Sequence, residues 1–198
     1  MITRRGLLLS LVALPLAARA QTADPAAPIA AFLQALQAAT KAGKFAARTA
    51  ILHPAVVATF DLPVILAATV GPRWGGFAED AKARMLDAFT DFTVASWAAN
   101  FDADHGDRFE VMPGRRQVGS DEVVQTRITP TTGEPTRLDY VMRQTAGKWR
   151  VADILVNGAI SRVAVQRSDF RSLLASGDPA PLTAMLSQKA ALLAVDSP

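Results

Sequence analysis

The hydrophobic period of this chain changes twice, and the order of the changes limits the folds open to it. Up to Phe101 apolar residues recur three and four apart. From Phe109 to Asn157 they alternate or cluster as β-formers, and from about Ile160 the helical spacing returns. Helices, then a contiguous run of strands, then helices again predict an α+β fold. An antiparallel sheet of about four strands would carry helices over one face.

The elements can be placed from local signals. Ile29, Phe32, Leu33 and Leu36 mark a first helix, and a second is expected from about Lys44 to Ala55. Asp61 is placed to cap a short helix with Pro63 in its first turn, and Gly71-Pro72 stops it. A long helix runs from Ala78 to Phe101, with Asp80, Arg84, Asp87 and Asp91 on its wet face. Strands are expected at Phe109 to Pro113, Glu122 to Thr129, Arg137 to Gln144 and Trp149 to Asn157. Pro113-Gly114, Thr132-Gly133 and Ala146-Gly147 supply the turns. Helices follow at about Ile160 to Ala175 and Pro181 to Val195.

The first residues, MITRRGLLLSLVALPLAARAQT, read as an export leader: Arg4 and Arg5, an apolar run from Gly6 to Ala18, then small residues before Gln21. Residues 1–20 are therefore expected to be a signal peptide, and 21–198 a single domain of about 178 residues. A retained anchor fits less well, because the apolar run is short for a span and contains Pro15. Thr3 to Leu8 also fits a loose twin-arginine pattern, an alternative export route.

Charge gives no sign of a nucleic-acid partner. The chain has 21 Lys plus Arg against 18 Asp plus Glu, but Arg4, Arg5 and Arg19 fall in the leader, which holds no acid. The remainder balances, so the basic character of the whole chain carries no implication of nucleic-acid binding. Locally the signs separate, acid-rich from Glu79 to Asp107 and base-rich from Arg137 to Arg171; such patches dock partners or simply face water. There is no cysteine, which removes disulfides, thiolate metal sites and a cysteine nucleophile. Nothing in the pattern calls for an obligate assembly, so a monomer is expected.

Candidate catalytic groups are sparse. His53 and His105 fit no metal-ligand spacing, and Asp102, Asp104 and Asp107 miss a calcium loop because its twelfth position is Pro113. No nucleophile elbow, phosphate loop or dinucleotide fingerprint occurs, so neither a metal site nor a cofactor is expected. Strict alternation puts Asp153 on one strand face with Trp149, Val151 and Leu155. There it is either a general base of raised pKa or a structural carboxylate bonded to backbone groups or to Arg143 or Arg162. Proton transfer by Asp153 or Asp61 in an apolar cavity is the enzymatic alternative.

What the chain has in excess is apolar surface. Met85, Leu86, Phe89, Phe92, Val94, Trp97 and Phe101 sweep about half of the long helix. FDLPVILAATVGPRWGGF, residues 60 to 77, is nearly as apolar as a membrane span but is broken by Pro, Gly, Asp and Arg. Leu138, Tyr140 and Met142 share a strand face. Together these surfaces form either a thick core or the lining of a cavity, and composition does not choose between them.

The blocks FDLP at 60–63, GPRW at 71–74, Ala88-Phe89, DYVM at 139–142, GKWRVADILVNG at 147–158 and QRSDF at 166–170 resemble, in order and spacing, the MlaC/toluene-tolerance family of periplasmic lipid carriers. The ending NGAISRVAVQRSDF is most similar to a hopanoid-associated branch often called HpnM. It departs from the usual pattern in a longer interval from Gly158 to Phe170 and in Ile160, where a serine is common.

The resemblance implies an NTF2-like α+β fold around an apolar pocket for the chains of a phospholipid or a hopanoid-type lipid. It also implies exchange with inner- and outer-membrane complexes of an ABC-type lipid transport system. Under it, Phe60, Leu62, Val64, Ile65, Leu66, Trp74 and Phe77 are expected to form a wall or gate. Met85, Phe89, Phe92 and Trp97 would line the helix side, and Leu138, Tyr140 and Met142 the sheet side. Arg73, Tyr140 or Arg143 would meet the headgroup.

Overall fold

The computed structural model describes residues 24–196; the expected leader lies outside them. Four helices lead into the sheet: α1 (Ala26–Thr40), α2 (Phe45–Thr59), α3 (Leu62–Val70) and, after a 3₁₀ segment at Gly71–Gly76, α4 (Glu79–Asn100). Five strands follow: β1 (Arg108–Val118), β2 (Asp121–Thr129), β3 (Thr136–Thr145), β4 (Lys148–Val156) and the two-residue β5 (Ile160–Ser161). The chain closes with α5 (Arg162–Phe170) and α6 (Ala180–Asp196). The strands pair in chain order, all antiparallel, so the sheet is a simple meander with helices beside it.

The helix expected at about Ile160 to Ala175 is shorter, because Ile160–Ser161 pair as β5 and α5 ends at Phe170. Three further local features differ from the sequence expectation, each for a physical reason. Helix α2 runs past Ala55 to Thr59 and contains Pro54. Pro54 and Ala50, whose carbonyl loses its helical donor, are both exposed, so water can satisfy that carbonyl. Pro113-Gly114 is not a turn: β1 continues through it as an irregularity between Val111 and Arg115, and the hairpin closes at Gly119-Ser120. An edge strand tolerates a proline, which has no N–H to donate to a ladder. Gly119 takes φ 62°, the left-handed conformation that short hairpin turns demand.

The third difference lies in β4. Val141 pairs with Asp153 but Met142 pairs with Val151, so Ala152 is an extra residue, a β-bulge. The bulge shifts the alternation: Val151 faces the core, and beyond it Ile154 and Val156 take the inner face. The face shared by Trp149, Val151, Asp153 and Leu155 that strict alternation predicts is therefore not formed.

The core is built from α1, α2, α3, α4, α6 and one end of the sheet. Phe32, Leu36, Leu52, Leu66, Met85, Phe89, Tyr140, Met142, Leu182 and Leu186 are all essentially inaccessible. Phe32 meets Phe60, Trp97 and Tyr140 edge-on at centroid distances of 5.1, 4.9 and 6.4 Å, a geometry favoured by the ring quadrupoles. The acidic face expected on α4 is wet, and the helix packs against α1, α2, α3 and α6, which accounts for much of its broad apolar arc.

Two polar devices fix the ends of helices. Arg48, fully buried, donates from Nε to the Ala98 carbonyl and from Nη1 to that of Asp102, both at 3.0 Å, and also to Gly43. Its charge sits where the carbonyls at the end of α4 need donors. Asp61 caps α3 as expected, accepting from Val64 N–H, and it also accepts from Thr145 Oγ1 at 2.6 Å. Its own N–H donates to Val151. The broken apolar stretch is thereby stitched to β3 and β4.

Candidate functional site

The inner face of the sheet divides in two. Toward one end, Val124, Tyr140, Met142 and Val151 are covered by the helical core. Toward the other, Ile128, Thr136, Leu138, Ile154 and Val156 line a cavity of about 450 Å³ that opens to solvent. That volume lies in the range of small-molecule sites.

Helix α4 supplies the facing wall through Phe89, Phe92, Thr93, Ser96, Trp97, Asn100 and Phe101. At 1.5 Å rise per residue the stretch from Phe89 to Phe101 is about 18 Å long. Its small polar side chains are already satisfied: Thr93 Oγ1 donates to the Phe89 carbonyl and Ser96 Oγ to that of Phe92, each at 2.7 Å. They add little demand for hydrogen bonds from a ligand. Trp97 and Phe101 stack with centroids 5.8 Å apart, and both remain only half-buried, as do Phe92 and Leu138. Half-buried aromatic and aliphatic groups facing one hollow form an apolar surface without a protein partner.

The remaining walls are Phe60, Leu62 and Ile65 at the start of α3, and Arg162, Val163 and Gln166 on α5. Helix α5 is held at both ends. Asp153 accepts from Ser161 Oγ at 2.5 Å, from Val163 N–H at 3.1 Å and from Ile154 N–H at 2.7 Å. Ser161 in turn caps the helix by accepting from Ala164 N–H. At the other end Arg167 donates to the Ala68 carbonyl of α3, and Phe170 is buried. Asp153 thus bonds to backbone groups, as its structural reading expects.

The residues singled out from sequence fall into three groups. Phe60, Leu62, Ile65, Phe89, Phe92, Trp97 and Leu138 line the cavity. Leu66, Phe77, Met85, Tyr140 and Met142 lie in the core, while Val64 and Trp74 are half-buried away from the hollow. The cations form the third group: Arg73 donates to the carbonyls of Leu174 and Ala175, tying the 3₁₀ segment to the turn after α5. Arg143 forms a two-pronged pair with Asp121 at 3.0 and 2.6 Å, which raises its pKa. Neither reaches the cavity.

Tyr140 stands apart. Its hydroxyl is wholly buried and, among the described residues, has no hydrogen-bond partner; desolvation pushes its pKa well above the ordinary tyrosine value. Sequence reasoning missed Arg162, Val163 and Gln166, although their spacing places all three on one side of a helix. It also missed Ile154 and Val156, because the bulge at Ala152 has no mark in the sequence.

A five-stranded antiparallel meander, partly filled by helices and hollow at one end, can now be set beside known proteins. The family model described as MlaC protein matches residues 28–188. The chain belongs to the MlaC family. In fold, this MlaC-family protein matches a phospholipid-binding protein from Ralstonia solanacearum solved in complex with a phospholipid. The TM-score is 0.74 at 20% sequence identity, over 87% of this chain and 99% of the other. No curated protein sequence matches the chain.

Proposed function

We propose that this MlaC-family protein is a lipid carrier that holds the hydrocarbon of a phospholipid or hopanoid-type lipid in the hollow end of its sheet. The observation that carries this reading is the hollow itself. A cavity of about 450 Å³ is walled by Phe92, Trp97, Phe101, Leu138, Ile154 and Val163, apolar side chains that the fold leaves only half-covered. Membership of the MlaC family and the phospholipid bound by the Ralstonia protein support the same assignment.

The physical demand is large. Two acyl chains of roughly 14 methylenes each would cost on the order of 20 kcal/mol to expose to water, at about 0.8 kcal/mol per methylene. A carrier must hide most of that surface, yet release requires that it bind no tighter than the bilayer does. No bond is made or broken. Proton transfer at Asp61 or Asp153 has less support: Asp61 is engaged by Val64 and Thr145 outside the cavity, and Asp153 by Ser161, Ile154 and Val163.

In this proposal residues 1–20 direct export to the periplasm and are removed. The chain from Gln21 then works as a monomer between inner- and outer-membrane complexes of an ABC-type system. The ending NGAISRVAVQRSDF supports a place in the hopanoid-associated branch. Purification from the native host without detergent, extraction into organic solvent and mass spectrometry of the extract test the carrier reading. A lipid in near-stoichiometric amount is expected; an extract without lipid contradicts it.

A further inference from the structure

The hollow has a wet end and a blind end. Asn100, Thr136 and Arg162 line it and are exposed, whereas Phe60, Leu62, Ile65 and Phe89 line it and are buried. Helix α4 runs between the two. Asn100 stands at the rim and Phe89 at the bottom, about 16 Å apart at a rise of roughly 1.5 Å per residue.

Three helices stop lining the hollow at its blind end, and each carries a buried residue one turn beyond. Past Phe89 on α4 comes Met85, past Ile65 on α3 comes Thr69, and past Gln166 on α5 comes Phe170. None of these three lines the hollow. Residues four apart share a helix face, so what continues behind Phe89 is filled core. Helix α3 packs against both α4 and α5, and Thr69 Oγ1 donates to the Ile65 carbonyl at 2.8 Å. A chain entering from the rim therefore meets the Phe89 ring and the Ile65 side chain as an apolar floor.

The depth can be compared with a hydrocarbon. An extended alkyl chain advances about 1.25 Å per methylene, the projection of a C–C bond of roughly 1.5 Å at a near-tetrahedral angle. The wall from rim to floor thus matches about 13 methylenes.

Resting on the carrier reading, we infer that Phe89, with Ile65 beside it, is the end stop of a ruler for hydrocarbon length. The hollow takes a straight chain of about 13 methylenes past its rim and discriminates against longer ones. A methylene that does not fit stays in water, and relative to a bilayer each one weakens binding about fourfold. Shorter chains fit whole, so the selection is one-sided.

The test is a competition by length. The lipid-free chain from Gln21 is incubated with vesicles holding equal amounts of phosphatidylglycerols with acyl chains of about 12, 16 and 20 carbons, which bracket the wall. Bound lipid is measured by native mass spectrometry and compared with the vesicle composition. The wild type is expected to take the two shorter lipids in near vesicle proportion. It should under-represent the longest by at least about tenfold, the effect of two or more excluded methylenes.

Phe89→Ala opens the turn in front of Met85, about 5 Å or four methylenes, so the longest lipid should return to near its vesicle proportion. Thr93 also lines the hollow, one turn nearer the rim on the same helix face. Thr93→Phe should therefore raise the floor, and the middle lipid should fall by at least about tenfold while the shortest is kept. The Thr93 hydroxyl bonds to the Phe89 carbonyl of its own helix, so this variant should fold, and it decides the matter if Phe89→Ala does not.

Uptake independent of chain length in the wild type, or a cut-off that stays in place in Thr93→Phe, overturns the ruler and leaves the carrier reading standing. Failure to load any of the three lipids overturns the carrier reading itself, and the ruler with it.

Discussion

The two ends of one sheet face behave as different materials. At one end Tyr140, Met142, Val124 and Val151 are sealed by Phe32, Phe60 and the helices around them. At the other, Leu138, Ile128 and Val156 look across a hollow at Phe92, Trp97 and Phe101. Residue type hardly differs between the two, being aliphatic and aromatic in both. What differs is whether a helix comes down on the face. The closed end provides stability and leaves the open end free to remain unfilled, and Phe60 and Phe89, buried yet lining the hollow, stand at the boundary between the two.

The comparison predicts unequal costs of truncation. Phe32→Ala, deep in the closed end, should lose about 3–5 kcal/mol, whereas Leu138→Ala at the hollow should lose about 1 kcal/mol, measured by denaturant unfolding of lipid-free protein. Equal losses would break the distinction. Arg48→Met should cost about 1–3 kcal/mol because buried carbonyls at the end of α4 lose their donor, and this should be accompanied by faster amide exchange near Asp102. If Arg48 contributes nothing, the wall that α4 presents to the cavity is held by packing alone.

Asp153→Ala should cost about 1–2 kcal/mol by releasing the amides of Ile154 and Val163. Asp153→Asn should cost less, because one acceptor oxygen remains. Protease sensitivity should rise at α5 first. A variant that folds with full stability would mean that α5 is not positioned by this carboxylate.

The smallest effect is expected at Tyr140, the chain's single tyrosine. Tyr140→Phe removes a hydroxyl with no partner among the described residues, so stability at neutral pH should change by less than about 1 kcal/mol. The folded pKa is raised, so the native state holds the proton that the unfolded chain releases near its ordinary value of about 10. Native stability should therefore fall as pH rises above about 10, more steeply in the wild type than in Tyr140→Phe. Tyrosinate absorbance should stay absent from the folded protein over that range. Early ionisation in the native state would mean that water reaches the closed end.

Much of the fold was legible because period and punctuation report local structure. The apolar spacing of α1 and α4, the Asp61-Pro63 start of α3 and the β-run after Phe109 all appear where their residues place them. The irregularities were not legible, since a bulge depends on cross-strand register rather than on its own residues. The bulge at Ala152 moved Ile154 and Val156 to the inner face, and β1 continued through Pro113-Gly114.

For the site, apolar character alone could not separate core from lining. Met85 and Met142 went into the core while Phe92 and Trp97, equally apolar, faced the hollow. Arginines were harder still. Arg73 and Arg143 found partners across many residues of sequence, whereas Arg162 has no hydrogen bond or ion pair among the described residues.

The central claim, that hydrocarbon occupies the open end and not the closed one, is tested most directly by photo-crosslinking. A phospholipid with a diazirine in one acyl chain is loaded into the protein and activated, and the labelled residues are mapped by mass spectrometry. The account predicts labels on the α4 face from Phe92 to Phe101, on Leu138 and on Val163. Labels confined to the outer surface, or spread through Leu36, Leu52 and Leu182 in the sealed core, would contradict it.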